Sequence, residues 1–189
     1  MTEEEANDRY PEERTVEGCA GVSLMDPAER EAILEAIPSD RPQMVLEFGT
    51  FCGATARWLA DRRRLTTFVT VDDYSAFPDR CPVEAVANYR AAKYRNLRLV
   101  AATTRQFAAL WTDRAWDMVI VDAQHLHEFV ARDLNYARDL VRPGGLVVAH
   151  DYGHSYWTGC TQAIDEAIAA GRYRLFKTHM LLAFLEPQQ

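Results

Sequence analysis

Short apolar runs alternate with longer amphipathic segments along most of this chain, from residue 44 onward. Runs such as Val-Leu-Glu-Phe, Met-Val-Ile-Val and Leu-Val-Val-Ala are apolar at nearly every position, which is typical of strands covered by helices on both faces. The pattern therefore predicts five strands of a parallel sheet, over Met44–Phe48, Thr67–Val71, Leu97–Ala101, Asp117–Val121 and Gly145–Ala149.

The segments between these runs have the spacing of helices that pack on a sheet. The last of them places Val130, Leu134 and Ala137 on one face. A shorter helix begins before the first strand at Asp26-Pro27, since aspartate caps helices and proline fits their first turn. The helices predicted between strands span Ala54–Asp61, Pro82–Lys93, Thr104–Leu110 and Glu128–Val141.

The end of the chain departs from this alternation. A helix over Cys160–Ala170 precedes two apolar runs, Tyr173–Lys177 and Met180–Leu185, which only Thr178-His179 separates. So short a link permits only an antiparallel hairpin. The predicted fold class is α/β: a Rossmann-like, doubly wound sheet of seven strands, mostly parallel with a C-terminal antiparallel hairpin, and with helices on both faces.

Composition fixes the number of domains and limits the partners. A chain of 189 residues that is 48% hydrophobic is the size of one domain with one substantial core. Residues 1–22 are polar and acidic, so we expect a mobile arm or lid there and the folded domain over residues 23–189. The net charge of -7 argues against a nucleic-acid partner, which requires clustered cations.

Cysteine usage and hydropathy indicate where the protein acts. The four cysteines are scattered without a C-x-x-C pair, and the N-terminus has no apolar signal segment. No apolar run approaches the roughly 20 residues that span a bilayer. We therefore expect a cytoplasmic protein without a membrane partner.

A glycine-bearing turn follows the first strand, over Glu47–Thr55. Gly49 and Gly53 would let the backbone approach a ligand, and the next helix offers free N–H groups. The G-x-x-x-G spacing differs from the G-x-G-x-x-G of dinucleotide sites. Glu47 would repel a phosphate but suits a cationic amino group. A tight turn without a ligand is the alternative.

Acidic residues and histidines follow three other strands, at the sheet edge where open α/β folds bind ligands. Asp72 ends the second strand, where it would meet ribose hydroxyls; a solvated loop carboxylate is the alternative. Asp122 and His125 follow the fourth strand, and His150-Asp151 follow the fifth. His125 is a candidate general base, while Asp122, His150 and Asp151 could hold a divalent cation. Helix capping by Asp122 is the simpler alternative.

These residues, taken in order, resemble the class I S-adenosylmethionine-dependent methyltransferases. The narrower resemblance is to the branch of macrolide-sugar O-methyltransferases and cephalosporin-biosynthesis methyltransferase-like proteins. It covers about residues 15 to 186. It is carried by the Glu47–Gly53 turn, Asp72, the segment Asp122–Glu128, the run Arg142-Pro143-Gly144-Gly145 and His150-Asp151-Tyr152.

The resemblance implies roles for these residues. The turn from Glu47 to Gly53, including Thr50 and Phe51, would surround the methionine part of the cofactor, with Asp72 on the ribose. The family's D-G-D-H-S-Y-E reads Asp-Ala-Gln-His-Leu-His-Glu here, which places Asp122 in the site and makes His125 the base. The acidic residue that often meets adenine is replaced by Ala102-Thr103-Thr104, so Thr103 or Thr104 would supply that contact.

The predicted function is methyl transfer from S-adenosylmethionine to a hydroxyl of a small molecule, such as a sugar or phenolic natural product. Metal-using relatives carry two adjacent acidic or amide ligands where this chain has His150-Asp151, so dependence on magnesium or manganese stays open. Methylation of a small amine, and cofactor binding without turnover, are the alternatives. A nicotinamide-dependent oxidoreductase is disfavoured by the missing third glycine and the terminal hairpin. A homodimer is an open expectation.

Overall fold

The computed structural model describes residues 24–188, so the predicted acidic arm lies outside the described residues. Within them, six helices and seven strands follow one another along the chain. The helices are α1 (Pro27–Ala36), α2 (Ala54–Ala60), α3 (Cys81–Ala91), α4 (Thr104–Leu110), α5 (His127–Leu140) and α6 (Thr158–Ala169). The strands are β1 (Gln43–Phe48), β2 (Thr66–Asp72), β3 (Leu97–Ala101), β4 (Trp116–Val121), β5 (Val141–Ala149), β6 (Tyr173–His179) and β7 (Leu182–Pro187).

The seven strands form one sheet in the order β3-β2-β1-β4-β5-β7-β6. Strands β1 to β5 run parallel to one another. Strand β7 pairs antiparallel with both β5 and β6. This confirms the predicted class, a mostly parallel sheet closed by an antiparallel hairpin. The sheet order reverses between β1 and β4, so the loops that follow these strands face a common crevice.

Two hydrophobic cores cover the two faces of the sheet. Val45 points to the core formed with α1 and α2, while its neighbour Leu46 points to the core formed with α4, α5 and α6. Both residues are almost fully buried, at 1% and 0% exposed. Burial on both faces is why the strand sequences are apolar at successive positions rather than alternating.

The hairpin turn lies two residues later than the sequence predicted. His179 pairs with Leu182, so Met180 and Leu181 form the turn, and β7 begins at Leu182 instead of Met180. The physical reason is the position of β7 between β5 and β6: its residues Leu182–Leu185 are buried on both faces, whereas Met180 is 56% exposed. None of the helices in residues 24–188 is both long and apolar enough to cross a bilayer.

Candidate active site

The turn after β1 is held against the end of β4 by close backbone contact. A Cβ added to Gly49, which has φ +98°, would lie 1.9 Å from the carbonyl oxygen of Asp122. The Gly49 N–H donates to the carbonyl of Val71 at 2.9 Å, which joins the same turn to the end of β2. Gly53, at φ +76°, is the residue from which α2 starts. Both glycines thus serve the backbone path, and their approach to a ligand stays a prediction.

Glu47 is a buried carboxyl near the end of β1, just before this turn. Its Oε2 accepts a hydrogen bond from the Thr70 hydroxyl at 2.5 Å, and Thr70 in turn lies 2.7 Å from the hydroxyl of Thr50. Burial raises the pKa of Glu47 to about 8, opposed by the Thr70 hydrogen bond and assisted by the charges of Asp122 and Asp72. Among residues 24–188 no cationic side chain pairs with it.

Asp72 ends β2 and holds the loops on either side of the cavity. Its two carboxylate oxygens accept the backbone N–H groups of Phe51, at 2.8 Å, and Tyr74, at 2.7 Å. Burial raises the pKa of Asp72, although these hydrogen bonds oppose the shift. A carboxylate offers about four lone-pair sites, so Asp72 keeps acceptor capacity for a ligand hydroxyl beside these hydrogen bonds.

The two threonines predicted to contact adenine already have structural partners. Thr103 caps α4: its hydroxyl accepts the N–H of Gln106 at 3.1 Å, and Gln106 Oε1 accepts the N–H of Thr103 at 2.9 Å. The Thr104 hydroxyl donates to buried Asp133 at 2.7 Å. Both threonines line the cavity, and their contact with adenine stays a prediction.

Two histidines and two aspartates meet where β4 and β5 end. His125 Nε2 lies 3.0 Å from Asp151 Oδ2. His150 Nδ1 lies 3.2 Å from both Asp151 Oδ2 and Asp122 Oδ1. The left-handed backbone of Asp151, at φ +60°, is a conformation that aspartate tolerates better than most side chains. The sequence predicted this cluster, since parallel strands end at one edge of the sheet.

Charge within the cluster shifts the pKa values of His125, His150 and Asp151 in the direction that favours pairing. Burial would lower the pKa of His125, but the hydrogen bond and charge of Asp151 raise it above its ordinary value. Burial would also lower the pKa of His150, but its carboxylate neighbours Asp122, Asp151 and Glu29 raise it far above its ordinary value. Burial would raise the pKa of Asp151, but the neighbouring His125 and His150 hold it well below its usual range.

An aromatic residue fixes the plane of the His125 ring. Trp157 stacks on it with ring centroids 4.5 Å apart and an interplanar angle of 24°. The other two histidines of the two loops stand apart from the cluster. His127 points to Glu166 on α6, with Nε2 and Oε2 2.8 Å apart, and His154 Nδ1 accepts the backbone N–H groups of Tyr156 and Trp157.

The geometry also groups three residues that could hold a metal ion. Asp122, His125 and Asp151 each offer a ligand atom, and these atoms lie within 4.8 Å of one another. One imidazole with two carboxylates suits manganese, iron or zinc better than magnesium. The sequence had predicted Asp122, His150 and Asp151 as the ligands of a divalent cation. His150 instead has both ring nitrogens facing carboxylates, through Glu29 as well as Asp122 and Asp151.

Glu29 is the site residue that the sequence did not single out. It lies in the first turn of α1, where it accepts the Asp26 N–H at 3.0 Å, and its Oε2 is also 3.1 Å from His150 Nε2. The spacing Asp26-x-x-Glu29 is a capping-box pattern and could have predicted the first contact. No local pattern predicts the contact with His150, which is 121 residues away.

A single cavity of about 710 Å³ connects these groups. Its volume is within the ~300–1,000 Å³ typical of sites for small molecules. Every predicted cofactor residue except Gly53 lines it, from Glu47 and Asp72 through Thr103 and Thr104 to Asp122. His125, His150, Asp151 and Glu29 line the same cavity. A ligand held by Glu47 and Asp72 would therefore lie in the same cavity as the histidine–aspartate cluster.

A family model described as a methyltransferase domain matches residues 46–152, more than half of the chain. The chain therefore belongs to the methyltransferase domain family. The match spans the turn after β1, Asp72 and the histidine–aspartate cluster, and it confirms the prediction of a class I S-adenosylmethionine-dependent methyltransferase. The narrower branch, with macrolide-sugar and cephalosporin-biosynthesis proteins, stays a prediction.

Individual relatives agree with this family. A protein of Mycolicibacterium vanbaalenii, provisionally named an O-methyltransferase, is 27% identical over 130 residues, which are 68% of this chain and 55% of that protein. This chain thus spans about half the length of that relative.

Solved structures share the fold over nearly the whole chain. One from Staphylococcus aureus, provisionally named a caffeoyl-CoA O-methyltransferase, has a TM-score of 0.74 at 14% identity and covers 100% of this chain and 93% of that one. The O-methyltransferase from Bacillus cereus, solved with S-adenosylhomocysteine (SAH), has a TM-score of 0.67 at 15% identity. The match covers 96% of this chain and 97% of that one.

Proposed function

We propose that this protein transfers a methyl group from S-adenosylmethionine to a hydroxyl of a small molecule, with His125 accepting the hydroxyl proton. The observation that carries the proposal is the position of His125. Its ring is oriented by Asp151 at 3.0 Å and by Trp157, and it lines the same cavity as Glu47 and Asp72. The names of the similar proteins favour oxygen as the methylated atom.

The residues of the cavity fit this cofactor. Glu47 is a buried carboxyl without a cationic partner in residues 24–188, and the amino group of the methionine part would supply one. The remaining acceptor capacity of the Asp72 carboxylate suits the ribose hydroxyls. When bound, the cofactor supplies an electrophilic methyl group whose thioether leaving group needs no proton.

The chain's own residues would then position the acceptor and remove its proton. His125 Nε2 lies 3.0 Å from Asp151 Oδ2, so a proton on Nε2 would face that carboxylate, and Nδ1 of the neutral ring would carry the lone pair that takes the acceptor's proton. Asp151 stabilises the imidazolium that forms, as the raised pKa of His125 indicates. Asp122 would orient the acceptor hydroxyl from the opposite side. Positioning of this kind is worth about 7 to 11 kcal/mol in favourable cases.

A metal-assisted route is the second candidate, because Asp122, His125 and Asp151 have the spacing of a cation site. A divalent cation held there would make the acceptor hydroxyl more acidic, and His125 would then be a ligand rather than a base. Turnover that survives EDTA favours the base, and turnover that requires added manganese or magnesium favours the metal.

The test is transfer of labelled methyl from S-adenosylmethionine to a panel of sugars, phenols and amines, with and without EDTA. We expect a hydroxyl acceptor, and a loss of about 10²- to 10⁴-fold in kcat for His125→Ala, with SAH affinity retained. His127→Ala is the matched control, because His127 pairs with exposed Glu166 instead. Wild-type turnover by H125A would refute the base. Turnover on amines alone would favour N-methylation, and cofactor binding without any turnover would favour a binding protein.

A further inference from the structure

Glu29 is a buried carboxylate that the proposed reaction does not use. It belongs to the first turn of α1, yet it is only 2% exposed. Glutamates are almost never fully buried unless they are paired, because desolvating the carboxylate is costly. Its burial at the rim of the cavity therefore calls for an explanation beyond helix capping.

The contacts of Glu29 join three segments that are distant in sequence. Its Oε2 accepts the backbone N–H of Asp26 at 3.0 Å and lies 3.1 Å from His150 Nε2 at the end of β5. Its Oε1 accepts the backbone N–H of Leu181, in the turn between β6 and β7, at 3.0 Å. A capping box needs only the first of these contacts, so the other two serve a different purpose.

The contact with His150 extends to the proposed base. The opposite nitrogen of the ring, Nδ1, is 3.2 Å from both Asp122 and Asp151, and Asp151 is 3.0 Å from His125. With carboxylates at both ends, the ring of His150 cannot rotate without losing contacts on two sides. Removing Glu29 would free one end of the ring, so His150 would be held less firmly beside the two aspartates.

We propose that Glu29 is a positioning residue of this active site: through His150 it fixes Asp122 and Asp151 in the orientation that they present to His125. The inference rests on the proposed function for its effect on turnover. The arrangement of the rings itself can be measured without any acceptor. Glu29 thereby couples the first helix to the reacting groups.

The variant that tests this is Glu29→Gln, which keeps the length of the side chain but removes the charge and replaces one of the two acceptor oxygens with an amide NH2 group. Glu29→Asp is a second variant, charged but too short to keep all three contacts. Two controls separate other effects. Glu35→Gln changes an exposed glutamate of the same helix, and Asp26→Ala removes the side chain that accepts the Ala28 N–H while leaving the Glu29 carboxylate in place.

The first readout is the nitrogen-15 spectrum of the histidine rings in the protein saturated with SAH. We expect E29Q and E29D to shift the ring signals of both His150 and His125, and E35Q and D26A to leave them in place. Shifts confined to the backbone of α1, or equal shifts in D26A, would overturn the proposal, since either result describes a capping residue only.

The second readout uses the hydroxyl acceptor that supports wild-type turnover. We expect kcat of E29Q to fall by about tenfold to hundredfold, the loss that small misplacements cause, with KM for the acceptor and SAH affinity unchanged. A raised KM with unchanged kcat would overturn the proposal and make Glu29 a substrate contact. The effects of E29Q and His150→Asn on kcat should also be non-additive. If the wild type shows no turnover, the proposed function fails while the ring signals still decide the role of Glu29.

Discussion

The carbonyl oxygen of Asp122 occupies the space beside Gly49 where any other residue would place its Cβ, at 1.9 Å. The turn after β1 and the end of β4 are therefore in direct backbone contact, and both residues line the cavity. The atoms that an added Cβ would meet belong to the main chain of Asp122 and Ala123, so they cannot move aside without distorting the end of β4.

Gly49→Ala should accordingly abolish SAH binding and lower the free energy of unfolding by more than about 2 kcal/mol, since the clash adds to backbone strain. Gly171→Ala is the matched control: it has φ +69° and an added Cβ would meet nothing within 4 Å, so strain acts alone. Urea unfolding and calorimetry with SAH measure both quantities. Equal losses in the two variants would show that the contact with Asp122 is unimportant.

Glu47 should make the stability of the unliganded protein depend on pH. Its folded pKa of about 8 is above the unfolded value of 4.5, so its contribution is fully present below pH 4.5 and is lost as pH rises through 8. The Glu47→Gln variant has no titratable group at this position, so its stability lacks this dependence on pH. The difference in unfolding free energy between E47Q and wild type should grow by at most about 1.4 kcal/mol per pH unit across that window.

Chemical denaturation at several pH values between 5 and 8.5 measures that difference, with exposed Glu35→Gln as the control that should follow the wild type. A difference that stays constant with pH would mean that Glu47 is ionised in the unliganded protein.

The sequence could predict the features that depend on local patterns of residues, but not the contacts between residues far apart in the chain. Strands such as β1 and β4 were recognisable because burial on both faces leaves an apolar run, and the strand ends brought Asp122, His125 and Asp151 together because parallel strands share an edge. The glycine turn was recognisable from Gly49 and Gly53.

Contacts that depend on three-dimensional packing were not predictable. Glu29 meets His150 only after α1 has packed beside the end of β5, and nothing in the local sequence of either residue indicates it. The Thr104 hydroxyl is bound to Asp133, which comes from a different helix, so the sequence could present it as available to adenine. The hairpin turn shifted because burial of β7, rather than the local Thr-His pair, fixed the register.

A pair of thiols at the turn after β1 should be sensitive to oxidation. The sulfur atoms of Cys52 and Cys81 are 3.4 Å apart, and a disulfide requires an approach of about 1.4 Å to reach ~2.05 Å. Hydrogen peroxide should link them, with each thiol losing one hydrogen as the peroxide is reduced to water. Since Cys52 lies in the turn and Cys81 lines the cavity, we expect weaker SAH binding after oxidation.

Peptide mapping of the oxidised protein checks this prediction. Cys81→Ser should prevent formation of the bond and preserve SAH binding, whereas Cys160→Ser, which changes a buried cysteine elsewhere, should leave both unchanged. A map that links a different pair of cysteines would contradict the geometry of this cluster.

The most direct test of the central claim is calorimetric titration of the protein with S-adenosylmethionine and SAH at pH 7, in two buffers of different ionisation enthalpy. We predict saturable one-to-one binding of both compounds. The enthalpy should depend on the buffer, because a cationic amino group next to Glu47 would release the proton that its raised pKa retains, and E47Q should lose this dependence. Absence of binding of either compound in both buffers would contradict the account of this cavity as a cofactor site.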